Sequence, residues 1–139
     1  MSALYSILIA VHVAANLVWI GSILCVGRLL VAEQAEMRDR ARYAHELYRR
    51  LAAPAFGISL VAGVARLSLS AQYYFVDTKF MHPKLLFAVI VIALHHVIGA
   101  RAKAVSGGRR SAPGPTGVLS LLLLISAVAA TLFVVLEPF

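Results

Sequence analysis

The sequence predicts an all-α protein, an integral membrane four-helix bundle, and two observations support that prediction. Hydrophobic residues make up 61% of the 139-residue chain and charged residues only 14%, far from the balance of a soluble domain. Residues 3–31, 51–71, 83–100 and 117–136 form four apolar stretches. Each is close to or above the roughly 20 residues that a helix needs to cross a hydrocarbon layer. We therefore expect residues 1–139 to form one transmembrane domain.

The segments between these helices carry most of the charge. They are a charged connection at 32–50, an aromatic loop at 72–82 and a Gly/Pro/Ser-rich link at 101–116. Five Lys and Arg residues lie in 38–50 and four in 101–110, so the positive-inside rule places these two segments in the cytoplasm and both termini outside. We expect a multi-pass protein of the bacterial inner membrane. The net charge of +7 sits beside helix ends without interleaved aromatic residues, which excludes nucleic acid as an expected partner.

Polar residues on the first helix indicate a site inside the bundle. His12, Asn16 and Trp19 follow one another at spacings of four and three, which places them on one helical face. Polar side chains within a membrane cost free energy unless they face the bundle interior, and they are functional candidates for that reason. The alternative is structural, with His12 and Asn16 joining helices by hydrogen bonds and Trp19 packing.

Three histidines on the third helix extend this pattern. His82 and His96 are fourteen residues apart, which separates them by about 21 Å along a helix, so they cannot hold one ion together. His95 and His96 diverge by about 100°, so both cannot face one site. Since the first and third helices run inward, His12 and His82 both lie toward the outer side and a shared site is geometrically allowed.

The chemistry of this site favours a flat macrocycle over a bare metal ion. Imidazole is a good ligand for iron, copper and zinc, but none of the six Asp and Glu residues falls deep within a span, so hard cations have no oxygen cage. Arg66 and Lys84 lie at the outer level of the bundle. They are expected either to extend to the interface or to pair with the propionates of a haem or other tetrapyrrole through charge-assisted hydrogen bonds.

Four segments of the chain resemble the HemJ-type protoporphyrinogen IX oxidase family and, more distantly, the CopD-like copper-resistance membrane proteins. They are VHVAANLVWIG at 11–21, LYRRLAAPAFGISLVAG at 47–63, MHPKLLFAVIVIALHH at 81–96 and VVLEPF at 134–139. Their order and spacing cover nearly the whole chain. The family's Asn-Glu-x-Pro-Thr motif entering the last helix is absent here, and Ser120-Leu121-Leu122-Leu123 stands in its place.

The resemblance implies a four-helix membrane bundle that contains haem b and oxidises protoporphyrinogen IX. His12 and His82 then inherit metal-ligand or catalytic roles. The expected cofactor-binding residues are His12, His82, Arg66, Lys84, Trp19, Asn16 and His96. Expected partners are membrane lipid, a tetrapyrrole substrate and a membrane electron acceptor such as a quinone, with a homo-oligomer left open.

Two other functions stay open at this point. A copper-handling protein would use Met81, His82 and His12, which offer soft and borderline ligands to copper. A non-catalytic haem-binding subunit of a membrane assembly would use the same bundle without turnover.

Overall fold

The computed structural model describes residues 3–33 and 36–136, and this part of the chain is helical with no β-strand. The helices are α1 (Ala3–Val31), α2 (Met37–Leu47), α3 (Ala53–Leu69), α4 (Met81–Ser106) and α5 (Thr116–Leu136). A π-helical turn, Tyr48–Ala52, joins α2 to α3 without a break, and a second one, Tyr73–Asp77, follows α3. The prediction of an all-α bundle with four helices long and apolar enough to cross a membrane is confirmed. Glu137, Pro138 and Phe139, which end the VVLEPF resemblance, lie outside the described residues, as do Met1 and Ser2, so the predicted placement of both termini is not described.

The expected connection at 32–50 is mostly helix, and this corrects the sequence prediction. The eleven residues of α2 continue through the π-helical turn into α3, so that one long helix runs from Met37 to Leu69. Ala41 and Ala44 are completely buried on the side of α2 that packs against α1 and α4. The two alanines are one helical turn apart and form a short apolar face. The charged residues on the other faces lower the mean hydropathy of α2, so a search for membrane spans in the sequence does not detect it.

Pro54 accounts for the π-helical turn inside this long helix. A proline within a helix has no N–H to donate, and its ring clashes with the carbonyl four residues earlier. The widened turn, Tyr48–Ala52, lies directly before Pro54, and such single π turns are a common way to absorb an irregularity within a helix. Pro83, in contrast, is the third residue of α4, where the first turn tolerates proline.

The helices form a wedge that is open along one side. α3 packs on α1, α1 on α5, and α5 on α4, so three sides of the bundle are closed by packed helices. On the fourth side α2 packs against α4, and the Tyr48 ring lies directly on Gly99. Beyond this point the backbone of α3 hardly approaches α4. We call the resulting gap, between residues 56–67 of α3 and residues 84–92 of α4, the α3–α4 cleft.

Two buried clusters lie at opposite ends of the bundle. The larger cluster includes Trp19, Ile98 and Leu123, and the smaller one consists of Tyr74, Phe80 and Met81 with partly buried neighbours. The outer faces are apolar: the exposed fraction reaches 73% for Leu17 and 69% for Val61. Apolar surface this extensive requires an apolar environment around it, which a bilayer supplies.

Candidate functional site

A cavity of about 460 Å³ fills the α3–α4 cleft between the two buried clusters. Most of its wall is apolar, and all four long helices contribute to it. Its volume lies in the range of roughly 300 to 1,000 Å³ that is typical of small-molecule sites. The polar residues that line it are His12, Asn16, Ser59, Arg66, Tyr74, Lys84 and Thr131. Five of the predicted site residues therefore line one cavity: His12, Asn16, Trp19, Arg66 and Lys84.

His12 is held in the cavity wall by a network of three polar side chains. Its Nδ1 donates to the backbone carbonyl of Ser59 at 2.8 Å, because a carbonyl oxygen can only accept. The proton is thus on Nδ1, and the Nε2 lone pair accepts a hydrogen bond from the Asn16 amide at 3.0 Å. Ser59, only 2% exposed, donates to the Asn16 carbonyl oxygen at 2.7 Å. The network holds the imidazole ring in one orientation. Because Nδ1 carries the proton, Nε2 is the ring nitrogen that can bind a metal ion or a proton.

Gly63 gives the His12 ring the space that it occupies. A Cβ atom at position 63 would lie 2.9 Å from Cε1 and 3.1 Å from Nδ1 of His12. Such distances are too short for non-bonded carbon and nitrogen atoms, so any larger residue at this position has to displace the imidazole.

Gly63→Ala is therefore expected to disturb the His12 network. Overpacking of this kind typically lowers the free energy of unfolding by about 1 to 3 kcal/mol, and the change is read as a lower midpoint of thermal unfolding in detergent. Gly57→Ala on the same helix is the control, since nothing lies within 4 Å of a Cβ there, and replacing glycine in a helix is favourable. Equal midpoints for the two variants would show that His12 does not lie against Gly63.

Arg66 lines the cavity near the end of α3 and is held there by two tyrosines. Its Nη2 donates to the Tyr74 hydroxyl at 2.6 Å and its Nε to the Tyr5 hydroxyl at 3.3 Å, and the two hydroxyls are hydrogen-bonded to each other. The guanidinium also lies over both rings. Burial raises the pKa of Tyr74 to about 12. Tyr74 is therefore a neutral phenol near pH 7 and does not neutralise Arg66.

Lys84 is the second cation of the cavity and lies on α4, on the side of the cleft opposite Arg66. It is partly buried and lines the cavity, and its side-chain ammonium makes no hydrogen bond or ion pair within residues 3–33 and 36–136. The ion pairs in the described chain are Arg42 with Asp39 and Arg50 with Glu46, both on the long helix away from the cavity. Arg66 and Lys84 thus face an apolar cavity without a carboxylate partner in the described chain.

Trp19 forms the deep end of the cavity and is oriented by His95. The indole Nε1 donates to Nδ1 of His95 at 3.0 Å, and the two rings meet edge to face. His95 is completely buried among Trp19, Tyr48 and Phe56. Because Nδ1 accepts, the proton of His95 is on Nε2, and this buried group has no hydrogen-bond partner among the described residues.

The structure thus places His95 in the interior, whereas the sequence analysis assigned cofactor binding to His96. His96 is exposed on α4, where its Nδ1 lies 3.5 Å from the Tyr48 hydroxyl and its ring meets Phe56 edge to face. The two residues are about 100° apart on the helix. The helical row Val91, His95, Ile98 and Ala102, all buried, identifies the inward residue of the pair, and this signal was available in the sequence.

His95→Leu is expected to destabilise the protein, because it leaves the buried indole N–H of Trp19 without an acceptor. An unsatisfied buried donor costs about 1 to 3 kcal/mol. Since Trp19 is the one tryptophan of the chain, its fluorescence reports unfolding at this position directly. His96→Leu is the matched control and should leave the unfolding curve nearly unchanged. A larger effect at position 96 would show that α4 is rotated relative to this structure.

His82 does not come together with His12. It is exposed at the start of α4, where its Nδ1 lies 3.4 Å from the backbone oxygen of Lys79 and its ring meets Phe75. Met81, one residue earlier, points inward and is 1% exposed. Neighbouring residues of a helix diverge by about 100°, so Met81 lines the cavity and His82 does not.

The His, Cys, Asp and Glu side chains of the described residues do not gather in groups of three or more close enough to hold an ion. Of the three expected copper ligands, Met81 and His12 line the cavity, whereas His82 lies on the surface.

A second depression, of about 340 Å³, lies beside α2 and the end of α4. Charged side chains such as Asp39, Glu46 and Arg49 surround it, and none of the predicted site residues reaches it. The cavity of the α3–α4 cleft is therefore the candidate functional site.

No family model, curated protein or solved structure matches this chain.

Proposed function

We propose that this protein binds a tetrapyrrole in the α3–α4 cleft and that it is a HemJ-like protoporphyrinogen IX oxidase. The observation that supports binding most directly is the pair of cations, Arg66 and Lys84, facing an apolar cavity without a carboxylate partner in the described residues. A buried or half-buried cation without an opposite charge beside it is costly. A ligand with a flat apolar body and two carboxylates would cover the walls and neutralise both charges.

Haem b meets these requirements in part. The apolar walls suit its macrocycle, Arg66 and Lys84 suit its propionates, and His12 Nε2 offers one iron ligand once the Asn16 amide turns away. When bound there, haem b would supply one-electron transfer. His82 is not positioned as the second ligand, since it lies outside the cavity. We therefore assign a single protein ligand, His12, to the iron.

The residues of this chain would position the substrate and exclude water from it. Oxidation of protoporphyrinogen IX to protoporphyrin IX removes six electrons and six protons, and three two-electron acceptors such as membrane quinones would take them up. Arg66, which is fixed by Tyr5 and Tyr74, gives a rigid anchor for one carboxylate, and Lys84 gives a mobile one. The oxidase activity itself rests on the resemblance of the four segments.

The bundle would lie in the bacterial inner membrane with its basic end in the cytoplasm. Arg49, Arg50 and Lys103 belong to that end, and the positive-inside rule supports this orientation. The mouth of the cavity at Arg66 and Lys84 would then lie at the outer level of the bilayer, and substrate made in the cytoplasm would have to enter from within the membrane.

Rescue of a bacterium that lacks its own protoporphyrinogen oxidase tests the oxidase directly. We expect the wild-type gene to restore haem synthesis and growth without added haem. Membrane protein levels, measured by immunoblot, separate failed expression from failed activity. A well-expressed protein that purifies with haem but does not rescue would be a non-catalytic haem-binding subunit. A well-expressed protein that changes copper sensitivity instead would be a copper-handling protein.

A further inference from the structure

The α3–α4 cleft opens sideways, toward the surrounding lipid. Val64 of α3 and Val89 of α4 line the cavity, yet they are 53% and 61% exposed. At the other end the opening is closed by the contact between Tyr48 and Gly99. A molecule dissolved in the bilayer can therefore enter the cavity from the side without crossing water.

The cations of the cleft lie near the helix ends, where the headgroups of a bilayer around the four spans are expected. Arg66 is three residues from the end of α3 at Leu69, and Lys84 is three residues from the start of α4 at Met81. At 1.5 Å per residue, each lies about 4 to 5 Å along its helix from the end. From Lys84 the cavity runs along α4 to Ile92, a further length of about 12 Å, and ends at Trp19.

This arrangement is complementary to one lipid class. Most of its wall is apolar, and His12, Asn16 and Ser59 in that wall are hydrogen-bonded to one another. One end carries two positive charges that no described carboxylate neutralises. Asp77, in the π-helical turn after α3, is exposed and forms no ion pair with any residue that the structure describes. A lipid with a net negative headgroup would neutralise this end, whereas a zwitterionic lipid would bring its own cation to it.

We propose that the α3–α4 cleft is a binding site for an anionic phospholipid. Its phosphate lies against Arg66 and Lys84, and one acyl chain fills the cleft as far as Trp19. The site needs no tetrapyrrole, so it goes beyond the proposed function. Where a tetrapyrrole also binds, the two ligands compete for the same cations.

Quenching of Trp19 fluorescence tests this proposal, because bromine atoms on an acyl chain quench an indole only at close contact. The protein is placed in nanodiscs of unbrominated phosphatidylcholine that contain a tenth of brominated phosphatidylglycerol, or the same fraction of brominated phosphatidylcholine. Trp19 is the one tryptophan and only 6% exposed, so lipid outside the cleft contributes little. We expect at least twofold stronger quenching by the anionic lipid.

Lys84→Gln should remove most of this preference, and Lys79→Gln should keep it. Lys79 is the matched control, since it is exposed at the same end of the bundle and does not line the cavity. Equal quenching by the two brominated lipids in the wild type, or an equal preference in the two variants, would overturn the proposal. Protein prepared without bound haem is used in this assay, so its outcome is independent of the haem measurements. Displacement of the quencher by added haem would show the competition.

Discussion

Replacing Lys84 with glutamine is expected to lower the affinity of the purified protein for haem by about 10- to 100-fold. A hydrogen bond to a charged group contributes about 1.5 to 3 kcal/mol, and Lys84 has no other partner within the described residues to keep it occupied. The double variant with Arg66→Gln should lose saturable binding. The measurement is a titration of haem into detergent-solubilised protein, followed by visible absorption.

Lys79→Gln is again the matched control, because it removes the same charge at the same end of the bundle but outside the cavity. It should bind haem as the wild type does. Arg66→Gln also removes the contacts with Tyr5 and Tyr74, so its folding has to be checked by thermal unfolding, whereas Lys84→Gln removes no described hydrogen bond. An unchanged affinity in Lys84→Gln would refute a carboxylate site at this position.

His12→Ala should reduce haem binding more strongly than any other single exchange, while His82→Ala should leave it nearly intact. Loss of an outer partner of a metal ligand already costs roughly 10- to 100-fold in metal affinity, and loss of the ligand itself should cost more. His12 lines the cavity and His82 does not. The measurement compares the haem content of the two purified variants with that of the wild type.

The two histidine variants control for one another, since each removes one imidazole from the same half of the bundle. Each exchange can lower stability by about 1 to 3 kcal/mol, so protein amount in the membrane is measured before haem content is compared. Equal loss of haem in both variants would restore the two-histidine site that the sequence suggests. Loss only in His82→Ala would move the site out of the cavity.

The sequence predicts the helical bundle well because few backbone structures are stable inside a membrane. Apolar stretches of about 20 residues have to be helices in lipid, since every backbone group must find its partner within the segment. The bounds 3–31 and 117–136 therefore agree with α1 and α5 to within a residue. The helical structure of residues 37–50 was not predicted, because α2 is polar on most faces. Hydropathy cannot detect a helix that buries only Ala41 and Ala44.

The site is harder to predict because it depends on helix rotation. His12, Asn16 and Trp19 lie on one face by their spacing, and the structure keeps them together in the cavity wall. On α4 the side chains of two adjacent residues point in directions about 100° apart, so choosing the wrong residue of such a pair misplaces the site residue. The rotation of α4 puts Met81 inside and His82 outside, and it puts His95 inside and His96 outside.

Other parts of the site come from tertiary contacts that spacing alone does not show. Ser59, which lies on α3 and follows His12 by 47 positions, completes the His12 network. Tyr74, in the turn after α3, accepts a hydrogen bond from Arg66. Neither residue carries a sequence signal of its own. The open side of the bundle likewise follows from the way the long helix diverges from α4 after Tyr48, which no local pattern specifies.

The visible absorption spectrum of the wild-type protein, purified from a haem-replete membrane, tests tetrapyrrole binding most directly. We predict a coloured preparation with a Soret band and, after reduction, the α band of haem b, at close to one haem per chain. A folded, colourless preparation that neither contains iron nor takes up added haem would contradict a tetrapyrrole site in the α3–α4 cleft.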